Sequence, residues 1–187
     1  VKNNIQLMQS LIQMSAKGRQ TDAVQELVTG ARFRLQAMAS AQEAMNRSVQ
    51  FGTVPVGILL SELVDSIGRN FEATQNLQLE ISDADLPNDI AHAVALITNE
   101  LVTNAIKHGL ADGRGRILVS FDEVNDGFQL VVHDSGRGMD ARPEMQSSGL
   151  RLVRALCRQI GGDLEIANTN GAKCSVRFAK SLEGAAT

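Results

Sequence analysis

NELVTNAIKHG, running from Asn99 to Gly109, carries two patterns at once. Leu101, Val102, Ala105 and Ile106 supply an apolar helix face. Asn99, Glu100, Asn104, Lys107 and His108 crowd the same segment with groups that need polar partners. On a helix, Glu100 and Asn104 lie four apart and Asn104 and Lys107 three apart, so all three share a face, with His108 beside them. Carboxylate and amide oxygens suit Mg²⁺, a hard cation that shares its shell with phosphate oxygens. An ammonium group adds a point charge for phosphate. Taken alone, the same residues also read as a solvated helix face.

Outward from this stretch, the run from Leu86 predicts one long helix, started near Pro87 and stopped at Gly109. Before it, residues 76–82 read as a strand. After it, RILVSFDEV and FQLVVHDSG read as strands joined at an Asn125–Asp126–Gly127 turn, a strong hairpin signal. SGLRLVRALCRQ predicts a helix closed by Gly161 and Gly162, and residues 163–179 a second hairpin turning at Asn168–Gly171. Hairpins with helices between them give an α+β class, a mainly antiparallel sheet with helices on one face.

The first quarter of the chain is different. Ile5, Met8, Leu11 and Ile12 recur at helical spacing up to about Ala16, and Val24, Leu27, Val28, Ala31, Leu35, Met38 and Ala39 do so from Ala23 to about Arg47. Asp22 with Gln25 has capping-box spacing between them. This is a two-helix hairpin, and its unfilled seam is most simply closed by a second copy as a dimeric four-helix bundle. Residues 48–57 read as a linker, with Pro55 opening a helix to about Phe71. The expected organisation is a helical hairpin over 1–50, a linker and connecting helix over 51–73, and a second domain over 74–187.

Composition narrows the function. The chain has 187 residues, six Phe, no Trp or Tyr, and a net charge of −3, so no basic field favours nucleic acid or an anionic membrane. Cys157 and Cys174 have neither disulfide-framework nor metal spacing and read as buried thiols of a reducing, cytoplasmic compartment. No apolar run approaches the ~20 residues of a membrane span, and no signal peptide is visible, so direct membrane contact is not expected. The sequence opens on Val1 inside a helical pattern, as a piece of something longer would.

Two further motifs stand downstream. Asp134, Gly136 and Gly138 form Asp-x-Gly-x-Gly at a strand end. A carboxylate there can accept from an exocyclic amine such as adenine N6, while glycines let backbone approach a flat ring; the bland alternative is a turn. Ser147, Ser148 and Gly149 open a helix, where free N–H groups suit phosphate or where serine simply caps.

The Glu-x-x-x-Asn-x-x-Lys helix, then strand–Asp-x-Gly-x-Gly, then Ser-Gly opening a helix, resembles the GHKL ATP-binding fold of histidine kinases, type II topoisomerases, MutL and Hsp90. Asn99–Gly109 looks like its N box, Asp134–Gly138 like its first glycine box and Ser147–Leu150 like its second, over roughly residues 74–180. VKNNIQLMQSLIQM and GLRLVRALCRQIGGDLEI further resemble the HisKA_2 group of sensor histidine kinases.

The resemblance implies ATP and Mg²⁺ as cofactors. Asp134, Gly136 and Gly138 would hold adenine. Lys107, His108, Ser148, Gly149 and Leu150 would line the phosphate side, and Asn104 would hold metal. Glu100 stays open to two roles, orienting the target imidazole or joining the Mg²⁺ shell through water. Phosphate would pass to a histidine on the first helix and then to an aspartate of a response-regulator receiver domain, with a homodimer formed through residues 1–47. In the family the acceptor histidine precedes Val1 by two positions. His92, His108 and His133 all lie in the second domain. A rival reading is a dimeric docking scaffold with a nucleotide-binding or degenerate domain and no catalysis. Only ten residues separate Gly138 from Gly149, a short lid in which Arg137 or Arg142 can reach phosphate or stay exposed.

Overall fold

Helix α2, Asn88–Gly109, is buried on nearly every side: Ile90, Ala91, Val94, Ala95, Leu96, Ile97 and Val102 are wholly inaccessible. A helix apolar all round must lie inside a domain rather than along its surface. The computed structural model describes residues 30–31, 33–35, 37–39, 52–110, 114–125, 127–138 and 148–180, and it sets α2 between a sheet and two other helices.

The sheet has five strands. β2 is Leu77–Ile81, β4 Ile117–Val124, β5 Gly127–Asp134, β6 Asp163–Asn168 and β7 Ala172–Ala179, in the order β2-β4-β5-β7-β6. All pairings are antiparallel except β2 with β4, which are joined through α2. A parallel pair needs such a crossover. The α+β class with a mainly antiparallel sheet is therefore as expected.

Strict alternation sends Ile117, Val119 and Phe121 of β4 and Phe128, Leu130 and Val132 of β5 into the core. Phe121, Phe128 and Phe178 form a tilted ring cluster with centroids 5.4, 5.7 and 6.2 Å apart. The same alternation puts Asp134, last residue of β5, on the buried face and opposite Ile117. A carboxylate at a core position needs hydrogen-bond partners to offset the cost of burying its charge.

Helix α1, Val56–Asn70, starts after Pro55 and buries Val56, Leu59, Leu60, Leu63, Val64 and Ile67, a helical stripe against α2. Helix α3, Ser148–Gln159, buries Leu152, Val153, Leu156 and Cys157 on α2's other flank. Part of the expected linker is a strand: β1, Thr53–Pro55, pairs antiparallel with β3, Asp85–Pro87, and Val54 and Leu86 are wholly buried. The strand expected from residue 76 starts at Leu77; Asn76 ends a short 3-10 turn, and its Nδ2 donates to the Gly115 carbonyl at 2.8 Å.

Of the N-terminal hairpin, the first helix lies outside the described residues, as do Arg142 and the lid over 139–147. The described residues within 30–39 are helical. They meet the rest of the structure through Ala37 and Met38 in the core and through Phe33, whose ring stacks on Phe71 at 4.8 Å.

Candidate functional site

Two clusters of polar atoms sit along α2. The first is at its middle. Gly149, at the start of α3, lies so close to α2 that a Cβ there would stand 2.5 Å from Glu100 Oε2 and 3.7 Å from Asn104 Nδ2. Glu100, Asn104 and the first turn of α3 are thus brought together, as the sequence predicts. Asn104 Nδ2 is buried and, among the described residues, has no hydrogen-bond partner. An orphaned buried donor is costly, and it fits a phosphate oxygen, while the amide oxygen suits a hard cation. Glu100, 7% exposed, has a partner no sequence pattern gave. Arg34 Nε donates to its Oε1 at 2.9 Å and Arg34 Nη2 to its Oε2 at 3.0 Å, with Asn99 Nδ2 3.4 Å from Oε1.

The second cluster is at the C-terminal end of α2. Asp134 Oδ1 accepts from the Gly136 amide at 2.8 Å and the Ala172 amide at 3.2 Å. Among the described residues Oδ2 receives no hydrogen bond, so it keeps its capacity to accept one. The carboxylate lies against Gly109: a Cβ there would stand 2.5 Å from Asp134 Cγ, and one on Gly136 would meet the Gly109 carbonyl at 2.5 Å. Gly171, in the β6–β7 turn, closes the cluster at φ +127°, where a Cβ would overlap the Asp134 carbonyl. Gly138 has φ +85°, a backbone conformation that favours glycine. Sequence reading found Asp134, Gly136 and Gly138; it took Gly171 only as a turn residue and passed over Ala172.

The remaining candidates divide. Lys107 and His108 are exposed on the last turn of α2, and Arg137 is exposed beyond β5. Leu150 is a core residue, 3% exposed, with its side chain packed in the hydrophobic core. The side chain of Ser148 lies outside the described residues. Among the described residues no three His, Cys, Asp or Glu side chains gather into a metal cluster. A divalent ion at Asn104 would therefore take much of its shell from phosphate and water, as Mg²⁺ commonly does. Both cysteines are buried and free, and burial pushes the Cys157 thiol up to about 12 and the Cys174 thiol up to about 11. No helix among the described residues is long and apolar enough to cross a membrane.

The family described as histidine kinase-, DNA gyrase B-, and HSP90-like ATPase matches residues 89–183, from the first turn of α2 through β7. A histidine kinase family, HisKA_2, matches residues 1–71. The chain is a sensor histidine kinase core of this ATPase family. It is 25% identical over 179 residues to blue-light-activated histidine kinase 2 of Erythrobacter litoralis, covering 89% of this chain and 50% of that protein. It is 27% identical over 167 residues to the sensor histidine kinase PdtaS of Mycolicibacterium smegmatis, covering 83% of this chain and 32% of that one. The chain thus spans half or less of the length of these relatives.

Among solved structures, the histidine kinase domain of the Erythrobacter litoralis blue-light-activated kinase superposes with a TM-score of 0.71 at 17% identity, over 96% of this chain and 95% of that one. At that identity the likeness is one of fold. The kinase core therefore carries a GHKL-type ATP-binding domain, with both polar clusters inside the matched ATPase region.

Proposed function

We propose that this kinase core binds Mg·ATP along α2, with adenine at Asp134 and the phosphates between Asn104 and the first turn of α3, and transfers the γ-phosphoryl group to a histidine. The observation that carries this reading is the orphaned Asn104 Nδ2 facing the Gly149 end of α3, at a distance along α2 from a carboxylate held by two backbone amides.

Asp134 selects adenine by accepting from its amine through Oδ2, since Oδ1 is already fixed. The N-terminal turn of α3, with Lys107 one helical turn beyond Asn104, favours the triphosphate's charge. Asn104 donates to a phosphate oxygen and offers its own oxygen to the metal. Mg²⁺, when held there by Asn104, would supply positive charge to offset the charge that builds during transfer. Glu100 beside it either orients the incoming imidazole or completes the metal shell through water. The chain's own part is mostly positioning and electrostatics.

The acceptor is a histidine on the helical hairpin, within one protomer or across a dimer formed through residues 1–47, and the phosphate passes on to a response-regulator aspartate in the cytoplasm. Autophosphorylation by a chain that carries the upstream histidine tests this. Asn104→Ala should abolish incorporation of γ-phosphate while leaving the thermal transition in place. Nucleotide binding without transfer in the unmutated chain would assign the scaffold role instead.

A further inference from the structure

The peptide unit between Gly115 and Arg116, just before β4, is held at both ends. Its carbonyl accepts from Asn76 Nδ2 at 2.8 Å, and its N–H donates to Ser135 Oγ at 2.9 Å. The Ser135 amide in turn donates to the Arg116 carbonyl at 3.0 Å, so both backbone groups of Arg116 close on one residue. Gly115 has φ +124°, and a Cβ there would stand 3.0 Å from Ser135 Oγ, so glycine lets this peptide lie against the serine. Ser135 stands between Asp134 and Gly136, whose amide donates to Asp134 Oδ1 at 2.8 Å. It is therefore the middle residue of an Asx turn closed by that carboxylate. The turn is pinned through its middle residue to the 115–116 peptide. That peptide is pinned to Asn76, 8% exposed at the end of the 3-10 turn. Ser135 itself is exposed, so water can replace its hydroxyl at the Arg116 amide with little loss of stability. What the bond fixes is direction: with Oδ1 tied, the setting of the turn decides where Oδ2 points.

We propose that Ser135 and Asn76 are positioning residues for base recognition, aiming Asp134 at the exocyclic amine of adenine through the 115–116 peptide they share. Neither residue touches the nucleotide. Ser135 fixes the Asx turn, and Asn76 fixes the peptide that Ser135 grips. The inference rests on the nucleotide reading above and adds to it the residues that make the site selective for an amine.

The test is calorimetry on the whole chain with Mg²⁺ and two ligands: a non-hydrolysable ATP analogue, and the same triphosphate carrying a purine that lacks the exocyclic amine. The parent should prefer the ligand with the amine. Ser135→Ala should lose roughly tenfold in affinity for the ATP analogue, the scale of one charge-assisted hydrogen bond, and bind the amine-free ligand as the parent does. Ser135→Thr keeps the hydroxyl and should keep the parent's preference. Asn76→Ala should shift the preference in the same direction as Ser135→Ala; because Asn76 is buried, its urea midpoint is measured alongside, and if it does not fold the two Ser135 variants decide. A serine that only supported the fold would, when removed, weaken both ligands together. Equal weakening of both, an unchanged preference in Ser135→Ala, or a preference lost in Ser135→Thr would overturn the proposal. A parent that binds both ligands alike would remove base recognition by Asp134 and this inference with it, leaving the phosphate side standing; a parent that binds neither would bring down the nucleotide reading itself.

Discussion

Replacing Gly171 with alanine tests how rigidly the fold holds Asp134. Gly171 has φ +127°, and an added Cβ would stand 2.7 Å from the Asp134 carbonyl carbon and 3.1 Å from Oδ1, overlapping the carbonyl oxygen between them. The obstacle is mostly backbone, so no rotamer change relieves it. A non-glycine residue in that region costs about 1–3 kcal/mol. The start of β7 must also move off the end of β5, which breaks the Ala172 amide bond to Oδ1 and leaves a buried donor and a charged acceptor less satisfied, about 1–3 kcal/mol more. The expected loss is about 2–6 kcal/mol, a large part of the ~5–15 kcal/mol that holds a domain.

Urea unfolding measures that loss, with Gly57→Ala as control. Gly57 is in the first turn of α1 with nothing within 4 Å of an added Cβ, so alanine should be neutral or gain a few tenths of a kcal/mol. Below the unfolding range, Gly171→Ala should also lose adenine-nucleotide affinity, because Asp134 is displaced. A loss under about 1 kcal/mol with affinity intact would mean that this turn does not position the carboxylate.

Further outcomes follow from the same contacts. Gly149→Ala should weaken nucleotide binding several-fold and lower the urea midpoint, because its Cβ would stand 2.5 Å from a buried Glu100 carboxylate that Arg34 holds at both oxygens; calorimetry and urea melts together check this. Cys157 and Cys174, with thiols raised by burial, should resist a thiol-specific reagent at pH 8 in the folded state and react at once in urea; rapid native labelling would contradict their burial. His92 is held below its ordinary value of 6.5 by burial, and its Nδ1 has no partner among the described residues. The unfolded chain therefore binds the extra proton first, so His92 should make stability fall as pH drops below about 6.5. His92→Gln should flatten that slope in unfolding curves between pH 5 and 7, and an unchanged slope would remove the assignment.

Much of the molecule was legible because its signals are local. Helix α2 runs unbroken between Pro87 and Gly109, and β4 and β5 alternate cleanly around their turn. Glu100 and Asn104 stood out as polar groups in an otherwise apolar helix, Asp134 by its Asp-x-Gly-x-Gly spacing at a strand end, and Gly149 by its place at a helix start. What stayed hidden is long-range or very short. β1 and β3 are three residues each and each ends in proline, so Pro55 and Pro87 read as helix starts alone. The parallel pairing of β2 with β4 depends on where α2 returns the chain. Arg34 looks like any helix-surface arginine until α2 is placed beside it. Gly171 carries an ordinary turn signal; only the fold shows that Asp134 lies against it.

The central claim is that nucleotide lies along α2 with its base at Asp134 and its phosphates at Asn104. A crystal structure of the kinase core with a non-hydrolysable ATP analogue and Mg²⁺ tests it most directly. The adenine amine is expected on Asp134 Oδ2, and phosphate oxygens within hydrogen-bond reach of Asn104 and the first turn of α3. A nucleotide lodged elsewhere, such as the open groove between Asn125, Phe128 and Arg177 at the far end of the sheet, would contradict it.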